Sequence, residues 1–351
     1  MHVMNEIKQI ILTELKKGKT FNSFEDLLHL LGQKKDLTEL ESSWTLIKNW
    51  WNQLEEIIYL INSSQSDERI INSDGVILDK LGHEWCQKNI KIDSIDVEII
   101  GQFLQSSYGQ DLNFKTPFIS FTGIFDKKEY RFTLQIIKKF PQMQIKIFIR
   151  VNRKNFYPIE NYLIPLELLN ILLKRNILIS GATGSGKTTL LKSLLAAGGR
   201  SKNNTKNEHL LIIEDLNEIG EITNNTTQLC SSDLDIEMDT LLANALRMSP
   251  DRIILGEIRS KEVSTFTLAL NSGHNGSMAT VHANSAVETI YRMAELLQIF
   301  GNFGRNNFPQ LMKIVSRNID YVVYMKDKKV DEIIKVMGSS EKGAPYFEKV
   351  F

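Results

Sequence analysis

Apolar residues in the first sixty positions recur at helical intervals. Met4, Ile7, Ile11 and Leu15 share one face, and Gly18 is placed to stop that helix. Ser23 precedes a second run, Phe24, Leu27, Leu28 and Leu31, ending at Gly32. A serine there suits the free amides of a first helical turn. A third run puts Trp44, Ile47, Trp51, Leu54 and Ile58 on one stripe. Such a stripe suits a membrane surface, a partner helix or the inside of a small helical module. The opposite face mixes acids with bases, unlike the lysine-rich face of a membrane-surface helix, so packing within a module over residues 1–62 is the expectation.

After the polar break NSSQSD (62–67) the period changes to that of strands. Residues 69–71 and 76–78 flank Asn72-Ser73-Asp74-Gly75, a hairpin signal. A helix is predicted over 93–108, then strands over 118–121, 130–136 and 144–151. The last alternates Ile145, Ile147 and Ile149 against Lys146, Phe148 and Arg150. The pattern predicts a small α+β domain over 63–155.

From Asn176 the order becomes strand, loop, helix, repeated. Short apolar runs at 177–180, 210–214, 253–255 and 277–281 read as buried parallel strands. Amphipathic segments at 187–197, 238–248 and 262–271 lie between them. A further helix opens at Ser285 with Glu288 in capping-box spacing, and residues 321–325 and 333–337 suggest a terminal hairpin. The alternation predicts a doubly wound α/β domain with a parallel sheet over 156–351.

Composition narrows the class. An apolar fraction of 42% and a charged fraction of 24% fit a globular chain that buries a core without staples. Lysine plus arginine equal aspartate plus glutamate at 42 each, so no basic excess favours a polyanion as the main partner. One local run departs from this balance: Arg131, Lys138, Lys139, Lys146, Arg150, Arg153 and Lys154 follow one another without an acid. It lies just before the phosphate motif described next, which draws some of it toward phosphate. The same run is the support for an alternative, a P-loop nucleic-acid translocase or helicase. Cys86 and Cys230 make neither a disulfide framework nor a zinc spacing and fit a reducing cytosol. No run of about 18 apolar residues occurs, and the opening residues, which include Glu6, do not suggest a signal peptide.

Residues 181–188 read GATGSGKT, between an apolar strand and a helix, which is the context a phosphate-binding loop requires. Gly181, Gly184 and Gly186 let the backbone curl and aim its amides at anionic oxygens, with Ala182, Thr183 and Ser185 between them. Lys187 supplies a mobile charge, Thr188 a hydroxyl for Mg²⁺, and Thr189 closes the loop. With no Asn-Lys-x-Asp guanine-reading motif in the chain, ATP is preferred to GTP. Glu214 and Asp215 end the second strand, where carboxylates meet the metal or its waters. Glu257 follows the third strand, where an acid that orients water belongs, although Gly256 precedes it where an aspartate is usual. His274 and His282 bracket the fourth strand, and His282, past its C-terminal end, is placed to reach a γ-phosphate.

Four blocks together, GATGSGKT, IIEDLNEI, LRMSPDRIILGEIR and GHNGSMATVHANS, resemble the secretion ATPases of the type II/type IV superfamily. In that family glycine before the glutamate is normal. The lack of a tetracysteine zinc element and the short N-terminal half look like the type IV secretion and tight-adherence branch. The resemblance implies a RecA-like ATPase domain, preceded by the small α+β domain and the helical module. It implies ATP and Mg²⁺, a homohexameric ring, and partners among the inner-membrane components of a secretion or pilus machine. It also implies a place at the cytoplasmic face of that membrane, without stable nucleic-acid binding. Glu257 would orient the attacking water, Glu214 would support the metal shell with help from Glu218, and His282 would meet the γ-phosphate. Arg131 (EYRF) and Arg150 (FIRV) match the family's phosphate-contacting arginines in context and spacing.

Overall fold

The computed structural model describes every residue except 1, 21–22, 35–36, 61–65, 82–83, 126, 139–143, 153–156, 201–207, 235, 272 and 302–306. Lys139, Arg153 and Lys154 of the basic run thus lie outside the described residues. The chain separates into two compact units, Met1–Arg153 and Lys154–Phe351.

The first unit opens with three helices, α1 (His2–Lys16), α2 (Phe24–Gly32) and α3 (Leu37–Tyr59). Ser23 caps α2 by accepting a bond from the Asp26 amide. Strands β1 (Glu68–Ile71), β2 (Ile77–Leu81) and β3 (Glu84–Gln87) follow, then helix α4 (Ser94–Ser107) and strands β4 (Phe118–Phe125), β5 (Lys128–Lys138) and β6 (Gln144–Asn152). They form one antiparallel sheet in the order β3-β2-β1-β6-β5-β4. Asp93 and Asp96 close a reciprocal capping box on α4. The Lys8 ammonium sits 2.7 Å from Asp96 and 2.9 Å from Asp93, which ties α1 to the start of α4.

The helices of 1–62 share one apolar core with the sheet, Ile7, Leu27, Ile47 and Trp51 packing in the same cluster as Ile71, Ile100, Phe132 and Ile147. The third stripe therefore packs inward, with one exception. Trp44 is 48% exposed and meets the Phe24 ring edge-on. Strand β3 escapes the periodic reading since its Glu84, Trp85 and Gln87 are exposed.

In the second unit α5 (Leu166–Leu172) leads to β7 (Ile177–Gly181), α6 (Lys187–Arg200), β8 (Leu210–Glu214) and β9 (Thr226–Cys230). Next come the short α7 (Ser231–Leu234), α8 (Met238–Ala245), β10 (Arg252–Ile258), α9 (Glu262–Leu270), β11 (Met278–Val281), α10 (Ala286–Phe300) and α11 (Phe308–Asn318). The chain closes with β12 (Tyr321–Lys326), β13 (Lys329–Ser339) and β14 (Pro345–Lys349). The sheet order is β14-β13-β12-β7-β11-β10-β8-β9. Strands β12, β7, β11, β10, β8 and β9 run parallel, and β13 and β14 extend the edge as antiparallel strands.

Alternation along these buried strands sorts side chains to two faces. Ile177, Ile179, Ile212 and Ile254 pack with Leu190, Leu191 and Leu194 of α6. Leu178, Leu211, Ile213 and Leu255 pack with α8 to α11 through Leu242, Phe266, Ile290 and Val315. Helices thus cover both faces, the arrangement that lets strands be apolar on both sides.

Candidate active site

The parallel strands bring their C-terminal ends to one edge of the sheet, where ligands of open α/β sheets bind. Gly181 ends β7 with φ +149°. A Cβ there would fall 2.3 Å from the Met325 carbonyl oxygen and 2.6 Å from Ser185 Oγ, so the position admits only glycine. The loop then curls through Gly184 and Gly186, both at positive φ, into the N-terminus of α6 at Lys187. Curled amides and the positive end of the helix dipole together form an anion cradle. Ala182, Thr183 and Thr189 are exposed on it, and Thr188 is half-buried.

Two side chains of the loop await such an anion. Ser185 Oγ is buried and has no hydrogen-bond partner among the described residues. The Lys187 ammonium, on a side chain buried at 7% exposure, donates to the carbonyl oxygens of Gly181 (3.0 Å) and Ala182 (2.9 Å) and lies 3.3 Å from His282 Nδ1. Burial lowers its pKa, opposed by the Glu257 carboxylate. An unpartnered hydroxyl and a desolvated ammonium resting on neutral carbonyls fit a polyphosphate.

Glu257, near the end of β10, is held from both sides. Its Oε1 lies 2.7 Å from His282 Nε2, and its Oε2 accepts from Arg259 Nη2 at 2.5 Å. Burial pushes the His282 pKa below its ordinary value, against the pull of Glu257. The two ring nitrogens thus face opposite charges, Nδ1 toward Lys187 and Nε2 toward the Glu257 carboxylate, the second as a close contact and not an aligned hydrogen bond. Lys187, His282, Glu257 and Arg259 therefore form one polar chain across the ends of β7, β11 and β10. Arg259 Nη1 continues it to 3.9 Å from Asp215. Arg259 was visible in the sequence as part of GEIR but carried no signal of its own.

Glu214, at the end of β8, is buried. Its carboxylate accepts from the amides of Glu218 and Ile219 and from Gln228 Nε2 at 2.6 Å, closing the turn after β8 against β9. Burial pushes its pKa up to about 7 despite these bonds. Gly256 on β10 makes room for it, since a Cβ there would sit 3.1 Å from Glu214 Cβ. Glu218 is fixed through its carbonyl, which accepts from Lys192. Asp215 is half-exposed and accepts from Ser231. Gln228 had no sequence signal, because the half-polar TTQLC of β9 does not read as a buried strand.

His274 stands at the other end of β11 from His282. It contacts the Ala269 carbonyl oxygen at 2.9 Å, and its own carbonyl accepts from Ser277, so it holds the turn before the strand. Arg131 and Arg150 belong to the first unit, where they face each other directly across β5 and β6. Arg150 is exposed and 4.0 Å from Glu68 on the next strand.

Residues 166–305, which contain all the strand-end groups above, match the family described as type II/IV secretion system protein. Over that segment the chain is similar to a type II/IV secretion system protein. A conjugal transfer protein TrbB of Rhizobium radiobacter is 26% identical over 318 residues, covering 86% of this chain and 94% of the relative. A type IV secretion system protein VirB11 of Bartonella quintana is 27% identical over 341 residues, covering 92% and 90%. Among solved structures, the ATPase DotB of Legionella pneumophila superposes with a TM-score of 0.60 at 18% identity, covering 84% of this chain and 79% of that one. The likeness to DotB extends the shared fold well beyond the matched segment. Within the matched segment the phosphate loop, the glutamate and the second histidine meet at one strand edge.

Proposed function

We propose that the chain is an ATPase motor of a type IV secretion or conjugal-transfer machine. The observation that carries this reading is the contact chain from Lys187 through His282 to Glu257, set against a loop whose buried Ser185 hydroxyl has no partner among the described residues. The relatives' names, conjugal transfer and type IV secretion, supply the setting.

In this reading residues 181–189 hold the phosphates of ATP. Lys187 leaves its carbonyls and His282 for the β- and γ-phosphates. Thr188, with Glu214 acting through water, would hold Mg²⁺, whose charge offsets that of the phosphate oxygens. When Lys187 leaves, Nδ1 of His282 is released toward the γ-phosphate. Glu257 then orients the attacking water and takes its proton. Arg131 and Arg150, which match the family's phosphate-contacting arginines, would offset charge on the leaving phosphates, a role worth about 10³–10⁵ in rate in other NTPases. A homohexameric ring at the cytoplasmic face of the inner membrane, pushing on membrane-embedded partners, completes the proposal.

Lys187→Ala tests it. The variant should keep its helical circular dichroism and lose ATP hydrolysis. Mixed with wild type, it should depress activity more than in proportion to its share. Undiminished turnover in the pure variant would end the assignment, and strictly linear dilution would end the cooperative ring.

A further inference from the structure

The first unit holds a cavity of about 280 Å³ between α3, α4 and β4. Its walls are apolar, aromatic and aliphatic side chains in equal share. Tyr59 lies flat on Phe125, ring centroids 3.5 Å apart and planes within 3°. Trp51 meets Phe103 edge-on at 6.1 Å. Tyr108 crosses β4 at Gly123, where a Cβ would fall 2.3 Å from the ring, so a glycine inside the strand makes the seat for that wall. Ile124, 68% exposed, marks where the cavity meets solvent beside β4, the edge strand of the sheet.

Aromatic and aliphatic walls with a few polar groups are the ordinary make-up of a ligand pocket. Two polar groups are informative here. Ser107 Oγ, on the lining, is buried without a hydrogen-bond partner among the described residues. Glu55 is the one charged side chain among the described lining residues. Its charge adds to burial in holding the Tyr59 hydroxyl above the usual tyrosine range. Aromatic faces attract cations, and a carboxylate without an opposing base strengthens that preference and repels anions. The apolar remainder of the lining asks for an apolar stem.

We propose that this cavity binds an organic cation on an apolar stem, a guanidinium or alkylammonium group, with Glu55 as its counter-ion. The site stands apart from the ATPase reading, since its lining shares no residue with the phosphate loop or its neighbouring strands. The cation has two possible sources: a free amine, or an arginine or lysine side chain delivered by a segment lying along the β4 edge.

The test titrates the full chain with n-pentylguanidinium, n-hexanol and hexanoate, read by calorimetry and by tryptophan emission. Pentylguanidinium should saturate. Hexanol and hexanoate should bind at least about tenfold more weakly. Glu55→Gln should weaken pentylguanidinium by a similar factor and leave ATP hydrolysis unchanged. Ser107→Leu, which narrows the cavity, should block uptake; should it fail to fold, the rim substitution Glu55→Gln decides alone. A capped peptide with one arginine that binds tighter than pentylguanidinium upholds the site and places the cation on a partner chain; equal binding upholds it with a free amine. Equal affinity for the cation and hexanol, equal affinity of Glu55→Gln and wild type, or no saturation by about 10 mM would overturn the proposal.

Discussion

His282 Nε2 and Glu257 Oε1 lie 2.7 Å apart, so the second histidine and the glutamate after the third strand are direct partners. Glu257 is on β10 and His282 is the residue after β11, the neighbouring parallel strand, in a register that pairs Ile258 with Val281. His282, one residue beyond that pair, reaches back to Glu257, one residue before it. With Arg259 on its other oxygen, Glu257 is oriented on both sides before any substrate arrives.

Glu257→Gln keeps the shape and one acceptor oxygen, enough for Arg259 or His282 but not both, and removes the basic oxygen. ATP should bind within about threefold of wild type, while turnover falls by about 10²–10⁴, the usual worth of a positioned base. Equilibrium nucleotide binding together with single-turnover hydrolysis checks this. A variant that hydrolyses at the wild-type rate would remove Glu257 from the chemistry.

Arg131 and Arg150 sit directly opposite each other on adjacent strands. Like charges so placed cost about 0.2–1 kcal/mol, a cost consistent with a function for both. Replacing either with Gln should leave the unfolding midpoint unchanged or slightly raised. ATP hydrolysis should fall at least tenfold if the pair meets phosphate. A lowered midpoint with unchanged hydrolysis would make the pair structural.

Much of this site was legible because its signals are local. The loop 181–188 states its curl through glycines at positive φ, and Ser23 and Asp93 announce their helices through caps. Buried strands such as Ile177–Gly181 betray themselves as apolar runs. What escaped depends on contacts distant in sequence. The bond from Gln228 to Glu214 joins two strands whose pairing no local pattern states. Arg259 gains meaning only when Glu257 and Asp215 are seen on either side. The first sixty residues read as a module of their own because helical periodicity shows which face is buried, not what buries it. Here the α+β sheet does.

The same limit hid the ion pair of Arg69 and Asp79. Both side chains are 2% exposed, and the guanidinium bonds Asp79 through Nε (2.6 Å) and Nη2 (2.9 Å). Nη1 donates to the carbonyls of Glu56 and Ile57 near the end of α3, where helix carbonyls lack partners. Asp79→Ala strands a buried guanidinium and should destabilise the first unit by about 3–5 kcal/mol. The double variant Arg69→Met/Asp79→Leu should recover part of that loss. Urea unfolding checks both, and a single variant within about 1 kcal/mol of wild type would show that water reaches the pair.

Glu214 supplies a pH dependence whose sign is opposite to that of an ordinary paired carboxylate. Burial raises its folded pKa to about 7, whereas the unfolded chain titrates near 4.5. Between these values the folded state binds the extra proton, so this group's contribution to stability is fully present below pH 4.5. It is lost as pH rises through 7. The separation corresponds to about 3 kcal/mol at most. Glu214→Gln keeps an acceptor for the Glu218 and Ile219 amides but cannot ionise. Wild type should therefore lose stability relative to the variant as metal-free buffer goes from pH 4.5 to 8, falling steadily up to the folded pKa of about 7 and levelling off above it. Thermal unfolding of both proteins across that range decides it. Parallel profiles would show that the three hydrogen bonds to the carboxylate offset its burial and keep it ionised throughout.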